Sequence, residues 1–375
     1  MRLKLIVLLT RMPARMSIPP TVVNIGLAGM DALLSASSNA FSRFGYSDTD
    51  HNTAGWRLAQ SAPVNVAFSP KFHITRDDAI FTMGSCFARN VEASLIQAGM
   101  NILLSDFDFP VELFDQQHGR IAMWKDTDRH GHLIRSVLNK YTPSSMLNEF
   151  QRVFSLDVRR DPFGGLIQIG PDLWYNPQIQ NSRIMDLHEA LMARDLVDDA
   201  TARVKRASAI FLTLGFTETW LDSETGTILN MAPRPKFIKR WPDRFRFFNA
   251  THQEVLASLE GMYDLVNSVR PDIKFVITVS PVPLGTTFTE MDVITANTYS
   301  KSTLRSAAGE FCARHANTDY FPSYEMVMST CPELAWETDK IHVQQELVDA
   351  IIGRFVRGYI GDVTVAGASA AAVQY

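Results

Sequence analysis

Residues 79–88 read Ala79-Ile80-Phe81-Thr82-Met83-Gly84-Ser85-Cys86-Phe87-Ala88. An apolar run ends at a glycine, and a helical pattern opens near Arg89. Strand, tight turn and helix in direct succession form the βα unit of a parallel sheet, so this stretch decides the fold class. A serine on such a turn points its hydroxyl out of the sheet edge, beside the amides that open the helix. A nucleophile would stand there. Gly and Ser also suit any tight βα turn on conformational grounds alone, so the stretch by itself leaves both readings open.

Near the far end, Asp339-Lys340-Ile341-His342 precedes Leu347, Val348, Ile351, Ile352, Phe355 and Val356 at helical spacing. An Asp three residues before a His can orient the imidazole and compensate its charge when it takes a proton from a serine. The same pair also serves as a helix N-cap beside a solvated histidine. Between these ends, Ile210-Phe211-Leu212-Thr213-Leu214-Gly215-Phe216-Thr217-Glu218-Thr219-Trp220 delivers hydroxyls, a carboxylate and an indole after an apolar strand. Open α/β sheets put their ligands at that carboxyl edge.

Together the three segments resemble the GSCFA family, which takes its name from Gly84-Ser85-Cys86-Phe87-Ala88 and looks like a branch of the SGNH (GDSL-like) hydrolases. The resemblance runs from about Phe72 to Phe355. It includes Leu138-Asn139-Lys140-Tyr141-Thr142-Pro143, Val279-Ser280-Pro281-Val282-Pro283-Leu284 and Tyr320-Phe321-Pro322-Ser323-Tyr324-Glu325.

The resemblance implies Ser85 as nucleophile, His342 as its general base and Asp339 as the group that holds the imidazole tautomer. It also implies an oxyanion hole built from the Ser85 amide, the Asn139 segment, Gly215 and Thr217. Here the chain departs from the SGNH pattern. Thr217 stands where an asparagine would, Glu218 where an aspartate is frequent, Leu138 where a glycine would, and Gly84 replaces the aspartate before the serine. A threonine hydroxyl can donate, but it is shorter than an amide and rotates more freely. Thr217 and Glu218 have a structural reading too, as a turn cap and as an acceptor for backbone amides.

Glu218, Ser280, Asn297, Ser300 and Lys301 are candidates for substrate contact; solvated helix polarity is the alternative for Ser280, Asn297, Ser300 and Lys301. Cys86 is the rival nucleophile, because a helix N-terminus lowers a thiol pKa. One position past the turn, its side chain should instead point toward the core.

The 375 residues, 46% hydrophobic and 20% charged, suffice for one sizeable α/β core. A net charge of -4 gives no electrostatic footprint for nucleic acid. Arg234, Lys236, Lys239, Arg240, Arg244 and Arg246 cluster among Trp241, Phe245 and Phe247, and read as a solvated or substrate-facing loop. Cys86, Cys312 and Cys331 have neither disulfide-framework nor zinc spacing. His130 and His132 lack a third ligand nearby, so no metal or organic cofactor is expected. Residues 3–9 form a short apolar run after a basic start, without a cleavage site close behind; a cytoplasmic location is expected, with export as the alternative. No run is long enough for an integral membrane segment.

Along the chain, residues 1–63 read as an N-terminal arm with a short helix near Val23–Leu34. Residues 64–360 read as the hydrolase-like domain, with 105–186 as an insertion or cap, and 361–375 as a disordered tail. Strands are expected near 79–83, 101–104, 210–214, 274–279 and 319–321, and helices near 89–98, 142–154, 188–205, 251–269, 295–314 and after 342. The alternation implies a three-layer α/β/α sandwich with a mostly parallel sheet; by resemblance it would be SGNH/flavodoxin-like, with a partly helical insertion. The activity implied is that of a serine esterase or acyltransferase on an oxygen ester, with an acylated carbohydrate suggested by family analogy alone. The alternative is a non-catalytic carbohydrate-binding or assembly protein on the same scaffold.

Overall fold

The computed structural model describes residues 28–107, 138–154, 163, 165–180 and 182–360. The chain divides into two units, Met1–Asn39 and Ala40–Tyr375. In the first, helix α1 (Gly29–Ser38) has no buried residue. The helix expected near Val23–Leu34 is thus displaced toward the C-terminus where it can be seen, and its first half lies outside the described residues.

The second unit opens with α2 (Ala54–Leu58), β1 (Ile80–Gly84), α3 (Cys86–Gln97), α4 (Pro143–Phe154), β2 (Ile167–Gly170), β3 (Leu173–Tyr175), β4 (Ile184–Met185) and α5 (Leu187–Ala202). It continues with β5 (Ala209–Leu214), β6 (Glu218–Asp222), β7 (Thr227–Leu229), α6 (Pro235–Arg240), β8 (Phe245–Asn249) and α7 (His252–Asn267). Last come β9 (Lys274–Val279), α8 (Val293–Arg314), β10 (Thr318–Tyr320), α9 (Ser323–Ser329), α10 (Pro332–Ala335) and α11 (Gln345–Tyr359).

Strands β1, β5, β9 and β10 form a parallel sheet in that order. Alternate residues of β5 serve opposite faces, as the period of two demands. Ile210, Leu212 and Leu214 join a core with α4, α5, α7 and α8, while Ala209 and Phe211 join one with α3, α9 and α11. Helices therefore cover both faces of the sheet, and the fold is mixed α/β. Burying a large apolar side chain such as Phe211 contributes roughly 1.5–3 kcal/mol, which is why these strands are apolar on both faces.

The strand expected over 101–104 reduces to one parallel bridge between Ile102 and Ile80. Ile80 donates to the Asn101 carbonyl at 2.8 Å and accepts from the Leu103 amide at 2.9 Å, so this short piece lies on the side of β1 away from β5. The chain thus departs from β1 in both directions. The crevice outside the carboxyl ends of β1 and β5 is a topological switch point, the favoured ligand position in open α/β sheets.

Two small antiparallel sheets, β2-β3-β4 and β7-β6-β8, share a third core of Ile167, Ile169, Tyr175, Leu229, Phe237 and Phe245. Their strands are too short for periodicity to reveal. The basic stretch read as a loop is α6 and β8, and Arg244 is buried against Asp222, with two bonds of 2.7 Å. Of the 105–186 segment, the described part holds α4, with Pro143 as its first residue. There the Thr142 hydroxyl accepts the Ser145 amide at 3.1 Å, as its N-cap position requires. His130, His132 and the expected tail lie outside the described residues.

A buried charge cluster ties α4 to α5. Glu149 accepts from Arg194 and from Lys140, Arg194 also reaches Asp198 at 2.7 Å, and Asp198 accepts from Arg152 at 2.9 Å. Burial works against the Glu149 charge, yet Arg194 and Lys140 outweigh it and hold the carboxyl at about 2. Burial also lowers Lys140 to about 8.

Candidate functional site

Gly84 ends β1 at φ 155°, and a Cβ there would lie 2.5 Å from the Thr213 carbonyl oxygen. Only glycine fits that approach. Its carbonyl accepts the Lys140 amide at 2.8 Å, which brings the Leu138–Tyr141 block beside the turn. Ser85 follows in extended conformation as the N-cap of α3. An N-cap serine ordinarily accepts from an amide of the first helical turn. Ser85 makes no such bond; its hydroxyl donates instead to Ser280 Oγ at 2.9 Å. Both serines are buried, at 1% and 0% exposure.

Asp339 and His342 occupy a turn between Trp336 and Val343, which form an antiparallel bridge. Lys340 there adopts φ 58°, the left-handed conformation that curls the chain back on itself. Asp339 Oδ1 accepts the amides of His342 at 3.0 Å and Ile341 at 2.9 Å, and Oδ2 meets His342 Nδ1 at 2.6 Å. The His342 amide, then its imidazole and the Ile341 amide, hold the Asp339 carboxyl down at about 2. With Nδ1 engaged, Nε2 is the ring nitrogen left for a proton. The His342 side chain is 57% exposed and makes no hydrogen bond to Ser85. The structure therefore joins Asp339 to His342 and Ser85 to Ser280, but does not join the two pairs.

The donors expected in an oxyanion hole are largely engaged within the protein. The Gly215 amide donates to the Tyr141 carbonyl at 3.1 Å, and a Cβ at Gly215 would sit 2.5 Å from that oxygen. The Thr217 hydroxyl donates to Asn249 Oδ1 at 2.5 Å, and its amide donates to Ser300 Oγ at 2.9 Å. Asn139 Nδ2 donates to Gln180 Oε1 at 3.0 Å, and its buried Oδ1 finds no partner among the described residues. The Ser85 amide meets the Thr213 carbonyl only at 3.4 Å, the weakest of these engagements.

The other candidates hold the surrounding loops. Glu218 accepts the Thr287 hydroxyl at 2.5 Å and the Phe288 amide at 2.9 Å, and Asn297 Oδ1 accepts the Leu284 amide at 3.1 Å. Burial raises the Cys86 thiol above its ordinary pKa, and its side chain packs against the α3-side core. A raised thiol is the weaker nucleophile at neutral pH.

Lys301 departs most from its sequence reading. It is 1% exposed, and its ammonium donates to the carbonyls of Gly215 and Val282, each at 2.7 Å. Burial lowers it to about 7. Ser300 and Lys301 are thus interior groups, not solvated helix polarity. The signal was present in the spacing, since both share the buried stripe of α8 with Ala296, Leu304, Ala307, Ala308, Phe311 and Cys312. What no pattern could supply is the contact between Ser85 and Ser280, which stand 195 residues apart.

Among the described residues, no group of three or more His, Cys, Asp or Glu side chains could hold a metal ion, and no helix is long and apolar enough to cross a membrane.

A parallel sheet covered by helices on both faces defines an α/β protein, with Ser85 at the switch point and the Asp339–His342 pair on a loop before α11. The chain belongs to the GSCFA family, whose model matches residues 79–355. No curated protein and no solved structure matches it.

Proposed function

We propose that this protein is a serine esterase or O-acyltransferase that forms an acyl-enzyme on Ser85, with His342 as base and Asp339 holding the imidazole. The observation that carries the reading is the Ser85 hydroxyl itself, which occupies a helix N-cap yet does not cap the helix. A group released from that role at the carboxyl edge of a parallel sheet is available for chemistry. The formed Asp339–His342 bond supports the second half of the reading. The sheet order, with the Ile102 piece beside β1, supports the SGNH/flavodoxin-like assignment. On that analogy the substrate is an oxygen ester, with an acylated carbohydrate as the suggested class.

The engaged donors of Gly215 and Thr217 and the separation of Ser85 from His342 favour a second reading, a binding or assembly protein on the same scaffold. A fluorophosphonate probe separates the two. The enzyme labels at Ser85, and Ser85→Ala abolishes labelling; wild-type protein that stays unlabelled sinks the catalytic reading.

A further inference from the structure

Among the described residues the Ser85 hydroxyl has one partner, Ser280 Oγ at 2.9 Å, and both groups are buried. The Ser280 hydroxyl donates to nothing among the described residues. It stands just past β9, and its amide is fixed to the Leu214 carbonyl at 2.8 Å. Two residues on, the Val282 carbonyl accepts from Lys301, which also holds the carbonyl of Gly215 just past β5. Lys301 thereby clamps the loops that leave two adjacent strands, and Ser280 lies in one of them. No carboxylate pairs with this ammonium among the described residues; besides the two carbonyls it lies over the Phe216 ring, 5.9 Å from the centroid.

We propose that Ser280 is the positioning residue of the Ser85 nucleophile and that Lys301, through the Val282 and Gly215 carbonyls, keeps Ser280 in place. Accepting the Ser85 proton in a hydrogen bond fixes the Ser85 rotamer. The hydroxyl is thereby held away from the helix amides it would otherwise cap; in the attack on the substrate its proton passes to His342 Nε2, the base, and the hydrogen bond to Ser280 is given up. Ser280 Oγ accepts this bond through a lone pair and, among the described residues, makes no other side-chain hydrogen bond. The inference rests on the catalytic reading of Ser85.

The test is the rate of fluorophosphonate labelling in wild type, Ser280→Ala, Ser280→Thr and Lys301→Met, with melting temperatures measured alongside. Ser280→Ala should label at least about tenfold more slowly, as expected when a nucleophile is misoriented, while remaining folded. Ser280→Thr keeps the hydroxyl and should recover most of the rate, a rescue that a packing role would not show. Lys301→Met should also slow labelling. If it does not fold, Lys301→Gln, whose amide retains two donors, serves instead. Folded Ser280→Ala that labels at the wild-type rate overturns the role of Ser280, and an unslowed folded Lys301 variant overturns the clamp. Absence of labelling in wild type defeats the reading of Ser85 itself, and with it this inference.

Discussion

Replacing Lys301 with methionine should change how stability depends on pH, and the size of the change follows from its burial. The ammonium is 1% exposed and donates to two carbonyls, and burial lowers it from 10.5 to about 7. Between those values the unfolded chain binds a proton that the folded chain has released, so stability rises with pH across that window. At 1.36 kcal/mol per tenfold change in proton affinity, the whole drop from 10.5 to about 7 corresponds to about 5 kcal/mol. Over the accessible range from about pH 6 to pH 9, it amounts to about 3 kcal/mol. Lys301→Met removes this titration and leaves those of Lys140 and the other groups common to both proteins. Wild type should therefore gain about 3 kcal/mol on the variant between about pH 6 and pH 9. Urea unfolding followed by the fluorescence of the six tryptophans, at four pH values, measures the difference directly. A gap constant to within about 0.5 kcal/mol would show that Lys301 keeps its proton throughout, and would refute the argument from burial.

Thr217→Val should lower stability by about 1–3 kcal/mol, because Asn249 Oδ1 loses the hydroxyl that donates to it. The labelling rate should be retained; a loss of about a hundredfold without destabilisation would return Thr217 to the oxyanion hole. Glu149→Gln leaves Arg194 and Lys140 short of a buried counter-charge and should cost about 3–5 kcal/mol at pH 7. Its carboxyl is depressed to about 2, so this stabilisation is present above about pH 4.5 and is lost as pH falls through 2. The gap between wild type and variant should close in acid unfolding; a gap unchanged at pH 2 counts against the cluster. His342→Ala should reduce turnover nearly as much as Ser85→Ala, since base and nucleophile act as a unit. Activity within about tenfold of wild type would remove the imidazole from the mechanism.

Much of the central fold was legible because its signals are local. β1, β5 and β9 are continuous apolar runs, α7 opens on the Thr251/Glu254 capping box, and α4 starts at Thr142-Pro143. Each is set by neighbours a few residues away. The Asp339–His342 pair was legible for the same reason, with donor and acceptor three residues apart. The short antiparallel strands β2, β3, β4, β6, β7 and β8 lack the continuous apolar run that marked β1, β5 and β9, and they stayed hidden. The segment at 101–104 has the composition of a strand, yet it pairs only once, at Ile102.

The sequence by itself determined that a serine would end a βα turn and that an aspartate would stand beside a histidine, because both follow from chain geometry over a few bonds. Tertiary structure alone decided what those groups face. It set Ser85 against Ser280, spent the Thr217 hydroxyl on Asn249, and placed the Lys301 ammonium between two strand ends. Hydrogen-bond partners far apart in the chain are chosen by how the helices pack on the sheet, and no local pattern carries that choice.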